Sequence, residues 1–173
     1  MILKKTRLFI LIALLVIMLA ACASGSGMTE SDLVFHVNGG EFALNSDASA
    51  LIAALGDDYA YSEAVSCHYV GMDKTFAYDG IQVFTYPVDG VDHIDEIYIT
   101  SNQYSTAKGI TVGSTLADIQ KAYGKDAADV DGDGLLVLNL DGPSIDTDQP
   151  CLYFVMDGDT VLEFSIYSAS NRQ

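Results

Sequence analysis

The chain has 173 residues, with 24 Asp and Glu against 8 Lys and Arg, for a formal charge of −16 at neutral pH. Nucleic acids and anionic lipid headgroups are bound by Lys and Arg that neutralise phosphate, so this balance speaks against both and favours cations or a basic partner; it also serves simply to keep an exported protein soluble. The length allows a leader followed by one compact domain, or two small lobes around a shared core.

The first element in chain order is a secretory signal. Lys4, Lys5 and Arg7 make a basic start, and Leu8 to Met18 is an apolar run too short to span a bilayer, which takes about 20 residues. The following Leu19-Ala20-Ala21-Cys22 resembles the bacterial lipobox, whose cysteine receives a diacylglycerol thioether before cleavage in front of it. That resemblance implies a signal peptide over residues 1–21, lipidation of Cys22 and a mature chain held on the outer face of a bacterial cell membrane. Two acyl chains suffice for stable attachment, each buried CH₂ contributing about 0.8 kcal/mol. Ala23-Ser24-Gly25-Ser26-Gly27 has a flexible composition with nothing to bury, so residues 22–32 read as lipidated cysteine and tether. Cleavage removes three bases and no acid, leaving Lys74, Lys108, Lys121, Lys125 and Arg172 against 24 carboxylates, or 5 − 24 = −19.

Residues 33–102 and 103–170 read as two copies of one unit, offset by about 68 residues. Gly40 to Leu44 and Ser46-Asp47 lead into a predicted helix from Ala48 to Leu55, closed by Gly56. Gly109 to Val112 and Gly113-Ser114-Thr115 lead into another from Leu116 to Tyr123, closed by Gly124. Each has a hydroxyl or carboxylate for an N-cap and a glycine where a left-handed residue ends a helix. Ala48, Leu51 and Leu55 align with Leu116, Ile119 and Tyr123, one apolar face in each helix. Strands are expected at Ser66 to Val70, Lys74 to Tyr78, Ile81 to Tyr86, Ile94 to Ser101, Leu135 to Leu140, Leu152 to Met156 and Val161 to Ser168. Asp157-Gly158 predicts a tight hairpin and Asp89-Gly90 a longer connection. The expected fold is α+β: two helix-plus-antiparallel-meander repeats sharing one sheet, with short helices packed on one face.

Thr106 to Gly124, Thr-Ala-Lys-Gly-Ile-Thr-Val-Gly-Ser-Thr-Leu-Ala-Asp-Ile-Gln-Lys-Ala-Tyr-Gly, resembles a signature of small Gram-positive lipoproteins. It is also similar to the helix entry of the β-lactamase-inhibitor-protein-like fold and of the small lipoproteins that help assemble outer-membrane barrels. The resemblance implies tandem helix-plus-meander units, a curved sheet and binding in place of catalysis. The first copy departs from the pattern, having Leu44-Asn45-Ser46 where the second has Gly-Ser/Thr.

Chemistry-bearing patterns are few. There is no Gly-x-Ser-x-Gly elbow, His-Glu-x-x-His, paired Cys-x-x-Cys or Gly-x-x-x-x-Gly-Lys, and His36, His68 and His93 stand apart. No catalytic residue is assigned, and a non-enzyme is expected. Cys67 and Cys151 are either bonded, closing a loop of more than 80 residues worth about 4–5 kcal/mol of chain entropy, or two thiols acting as small hydrophobes. Asp57-Asp58, Asp95-Glu96 and Asp146 with Asp148 read as solvated turn or edge carboxylates. Asp129-Val130-Asp131-Gly132-Asp133-Gly134 matches the first half of a calcium loop, with Asp129, Asp131 and Asp133 as ligands, but position twelve is Leu140 and a strand follows. Alternation places Phe84 and Tyr86, Glu96 and Tyr98, and Tyr167 on the outward face of the sheet, aromatics among carboxylates that suit a protein-binding surface. The expected function is an envelope lipoprotein that binds a protein or peptide without catalysis. The alternative is a calcium-binding structural protein of the envelope, and no other cofactor is implied.

Overall fold

The computed structural model describes residues 27–130, 132–144 and 148–170. The signal peptide, Cys22, Asp131 and Asp146 lie outside them. Ten strands and two short α-helices are described, broadly an α+β fold dominated by antiparallel sheet. A 3₁₀ turn at Glu30–Leu33 leads into a hairpin of β1 (Val34–Val37) and β2 (Gly40–Ala43). The main sheet holds β3 (Ala60–Val65), β4 (Met72–Tyr78), β5 (Ile81–Val88), β6 (Val91–Ile99), β7 (Leu135–Asn139), β8 (Gly142–Ser144), β9 (Cys151–Asp157) and β10 (Thr160–Tyr167) in the spatial order β3-β4-β5-β6-β10-β9-β7-β8. Helix α1 (Ser49–Leu55) precedes β3, and α2 (Leu116–Tyr123) precedes β7.

Period-two alternation places one side of each central strand in a single core. Ile81 and Val83, Ile97 and Ile99, Phe164 and Ile166, Leu152 and Phe154, and Leu136 and Leu138 pack there with Leu51 of α1 and Ile119 and Tyr123 of α2. The β1–β2 hairpin joins the same core through Phe35, which is fully buried. β6 and β10 meet at the middle of the sheet, with Ile97 opposite Ile166 and Tyr98 opposite Ser165. Short bridges tie the approach to each helix onto these strands: Asn45 N–H donates to Ile94 O (2.8 Å), Ile94 N–H to Ser46 O (2.9 Å) and Ala48 N–H to Asp92 O (2.9 Å). Before α2, Gly113 N–H donates to Val161 O (2.8 Å), Val161 N–H to Ser114 O (2.8 Å) and Leu116 N–H to Asp159 O (2.9 Å). Two bulges interrupt the ladders, with Asp95 the extra residue between Ile94 and Glu96 and Leu162 the extra residue between Val161 and Glu163.

Three local expectations are corrected. Residues 66–71 form a turn region and the strand lies before it, at Ala60–Val65. Ser66 makes that turn, its N–H donating to Gly71 O (3.1 Å) while its hydroxyl accepts from the Tyr69 amide (3.3 Å). Asp89-Gly90 is a two-residue hairpin, not a longer connection: Val88 pairs with Val91, and φ values of 51° and 82° at Asp89 and Gly90 match the strand twist. Gly40–Ala43 is the second strand of a hairpin turned by Asn38-Gly39, not simply a lead into the helix.

Candidate binding face

The helices and the β1–β2 hairpin pack on one side of the main sheet; the other side carries the five residues expected to bind a partner. Glu96, on β6, is half-buried and accepts hydrogen bonds from the Tyr153 hydroxyl of β9 and the Ser165 hydroxyl of β10 (2.5 Å to Ser165). Burial first, and the Glu96 charge next, push the Tyr153 phenol far above its ordinary range. Tyr98, half-buried two residues on, has its phenol pushed up to about 12, mainly by burial and then by its hydrogen bond to Glu163. Phe84 pairs with Glu96 and stays half-exposed.

Tyr86 and Tyr167 are not part of an open surface. Tyr86 is only 5% exposed; its ring lies against Tyr69 (centroids 4.8 Å apart) and its hydroxyl donates to Asn45 Oδ1 (2.9 Å). The turn over residues 66–71 covers it and is pinned by the Tyr69 hydroxyl donating to Ser170 O (2.9 Å). Tyr167, also 5% exposed, packs in a small second cluster with Val137, Cys151 and Ala169. Alternation gave both rings their side of the sheet correctly; the segments that cover them come from distant parts of the chain.

What remains open is a groove of about 230 Å³ toward the β3 end of the sheet. Small and aromatic residues, Ser62, Ala64 and Phe84 among them, line it together with the carboxylate-bearing Glu63, Asp73, Asp95 and Glu96 and a single base, Lys74. The Asp95 bulge allows two consecutive acidic residues to border it, and Asp95 is fixed by the Ser168 hydroxyl (2.5 Å) and by Ser168 N–H donating to Asp95 O (2.8 Å). Ser62 and Ala64 are not foreseen from the sequence, because β3 carries no apolar alternation to mark it as a strand, and Asp73 falls just before the strand expected from Lys74.

The other candidates fall elsewhere. Cys67 is exposed in the turn after β3 and Cys151 is buried at the start of β9, with no disulfide between them. Asp129 accepts from the Gly132 and Gly134 amides (2.7 Å each) and Asp133 from the Leu135 amide (3.0 Å), so these carboxylates anchor the turn into β7. Among the described residues no three His, Cys, Asp or Glu side chains are grouped so as to hold a metal. His36 lies 3.8 Å from Glu41, His93 Nδ1 is 2.7 Å from Asn45 O, and His68 is exposed beside Cys67. Asp57, Asp58 and Asp148 are exposed. No helix among the described residues is long and apolar enough to cross a membrane. No family model, no curated protein and no solved structure matches the chain.

Proposed function

We propose that the chain is a bacterial lipoprotein, anchored to the outer face of the cell membrane through lipid on Cys22, whose mature domain binds a protein partner without catalysis. The observation that carries the binding reading is the groove beside β3. It offers an aromatic floor at Phe84 and four acidic residues against one lysine, Lys74, on a sheet whose opposite side is committed to the core. A half-exposed aromatic supplies contact area at low entropy cost, and carboxylates around it select for a basic partner.

The domain is read as two related helix-plus-meander units. The bridge bonds recur with the steps Asn45 to Gly113, Ser46 to Ser114 and Ala48 to Leu116, each 68 residues, against partners Asp92 to Asp159 and Ile94 to Val161, each 67. The bulge repeats with the same 67-residue step, from Asp95 to Leu162. Unrelated segments have little reason to place bridges and bulges at offsets of 67 and 68 residues. The units differ at the sheet's rims, where β3 precedes β4 in the chain but β8 follows β7.

Two measurements test this reading. A clickable fatty acid fed to the native host should label the wild type and leave Cys22→Ala unlabelled; equal labelling would overturn the anchor. Crosslinking in native membranes should enrich one envelope protein with the wild type, and Phe84→Lys should cut that enrichment about tenfold, as loss of a central aromatic does. Enrichment unchanged by Phe84→Lys would remove the groove from the binding surface.

A further inference from the structure

We propose that the free edge of β3 takes up an extended, lysine- or arginine-bearing segment of the partner as a ninth strand. This rests on the binding reading above and gives it a partner class and a line of contact.

The two rims of the main sheet are unlike. Among the described residues β8 has three, one of them Pro143, which lacks an N–H; prolines are one way that sheets close an edge. β3 has six residues, all exposed, with neither proline nor lysine, and pairs with β4 from Ala60–Ala77 to Val65–Met72 without a bulge. Every second residue of such a strand turns its N–H and C=O outward, a straight template for another chain.

Its two sides differ in chemistry. On the helix side stand Tyr61 and Val65, 49% and 76% exposed, with the Tyr61 ring 5.5 Å from that of Phe76, and between them the exposed Glu63, which accepts from the Tyr61 hydroxyl. On the groove side stand the small Ser62 and Ala64, and behind them Asp73 on β4. An added strand would lay alternate side chains along Tyr61, Glu63 and Val65 and across the small residues toward Asp73, which suits apolar residues alternating with long cations. The mature charge of −19 from the sequence (5 − 24) opposes a second copy at this edge and attracts a basic strand.

The edge is also remote from the tether. Gly27 O accepts from Lys108 Nζ (2.6 Å), and Gly27 shares a cavity with Asn139 and Pro143. The tether therefore enters at the β8 rim, and β3 lies seven strand spacings away, about 34 Å at about 4.8 Å each.

The test uses the lipidated full chain in micelles and a blocked heptapeptide with lysine at every second position and valine or threonine between. Amide shifts should saturate and centre on residues 60–65. N-methylation of alternate peptide amides, which leaves the protein untouched, should weaken binding about tenfold, and Asp73→Asn about threefold. A glutamate-for-lysine peptide should not bind. Failure to saturate, indifference to N-methylation, or shifts at residues 60–65 that grow with protein concentration alone would each overturn the proposal, the last by making the edge a self-association surface. A host partner whose capture survives Ala64→Pro would overturn the edge and leave the binding reading standing. Peptide binding without any host partner would support the edge chemistry and count against the binding reading.

Discussion

Tyr98 couples the stability of the sheet to pH. Its phenol is pushed up to about 12, by burial before the Glu163 contact, whereas an unfolded tyrosine titrates near 10. A group with a raised folded pKa keeps a proton that the unfolded chain has lost, so its contribution is full below about pH 10 and is lost as pH rises through about 12. Tyr98→Phe should therefore flatten, without abolishing, the fall in melting temperature between these values, because Tyr61 and Tyr78 are also pushed up to about 12. Parallel melts and tyrosinate absorbance check this, and identical slopes for wild type and variant would sink it. Asp32 is a stability residue of another kind. It is 1% exposed, accepts from the Thr29 amide and hydroxyl (2.8 Å each) and lies 3.1 Å from Lys108 Nζ. Asp32→Ala strands these donors and should cost about 2–3 kcal/mol, measured as a lowered urea midpoint at unchanged slope.

The two helices show how an element can be legible and still differ from its counterpart. Thr115 and Asp118 form a reciprocal capping box on α2: the Thr115 hydroxyl accepts from Asp118 N–H (3.2 Å), and Thr115 N–H donates to Asp118 Oδ2 (2.9 Å). The hydroxyl and backbone of Thr115 hold the Asp118 carboxyl below its usual range. On α1 the cap position falls on Ala48, with no side-chain bond, and Asp47 instead accepts from the Ser49 amide (2.8 Å). Thr115→Ala should thus destabilise the fold by about 1 kcal/mol, whereas Ala48→Ser, which puts a hydroxyl at a position 1% exposed in the core, should bring no gain; denaturant midpoints decide. Both helices were readable because apolar spacing, caps and terminal glycines agree. The Asn38-Gly39 and Asp89-Gly90 dipeptides carry a hairpin signal in the sequence, and both residues of each turn have positive φ, as a two-residue hairpin requires. β3 was not readable: Ala-Tyr-Ser-Glu-Ala-Val buries nothing, and pairing to β4 alone makes it a strand. The binding face was half readable, since alternation fixes the side of the sheet but not which distant turn, such as that holding Tyr69, lies over it.

For the whole molecule, the decisive relation is between tether and sheet. If lipid sits on Cys22, five residues separate it from Gly27, a reach of at most about 18 Å. Gly27 is held at the rim where β7 and β8 turn, so that rim stays within this distance of the bilayer while β3 can stand some 34 Å further along the sheet. Such an anchor would divide the edges by task, the proline-bearing one toward the membrane and the open one toward solution. Fluorophores placed by Asp141→Cys in the β7–β8 turn and by Ser62→Cys on β3, each in a Cys67→Ser background because Cys67 is exposed, should report the difference. With the lipidated protein in vesicles, a quencher confined to the bilayer should dim the Asp141 site strongly and the Ser62 site weakly, and the contrast should vanish in the unlipidated Cys22→Ala form. Equal quenching at both sites would mean that the sheet lies flat on the membrane, and the β3 edge would then not be presented to a partner in solution.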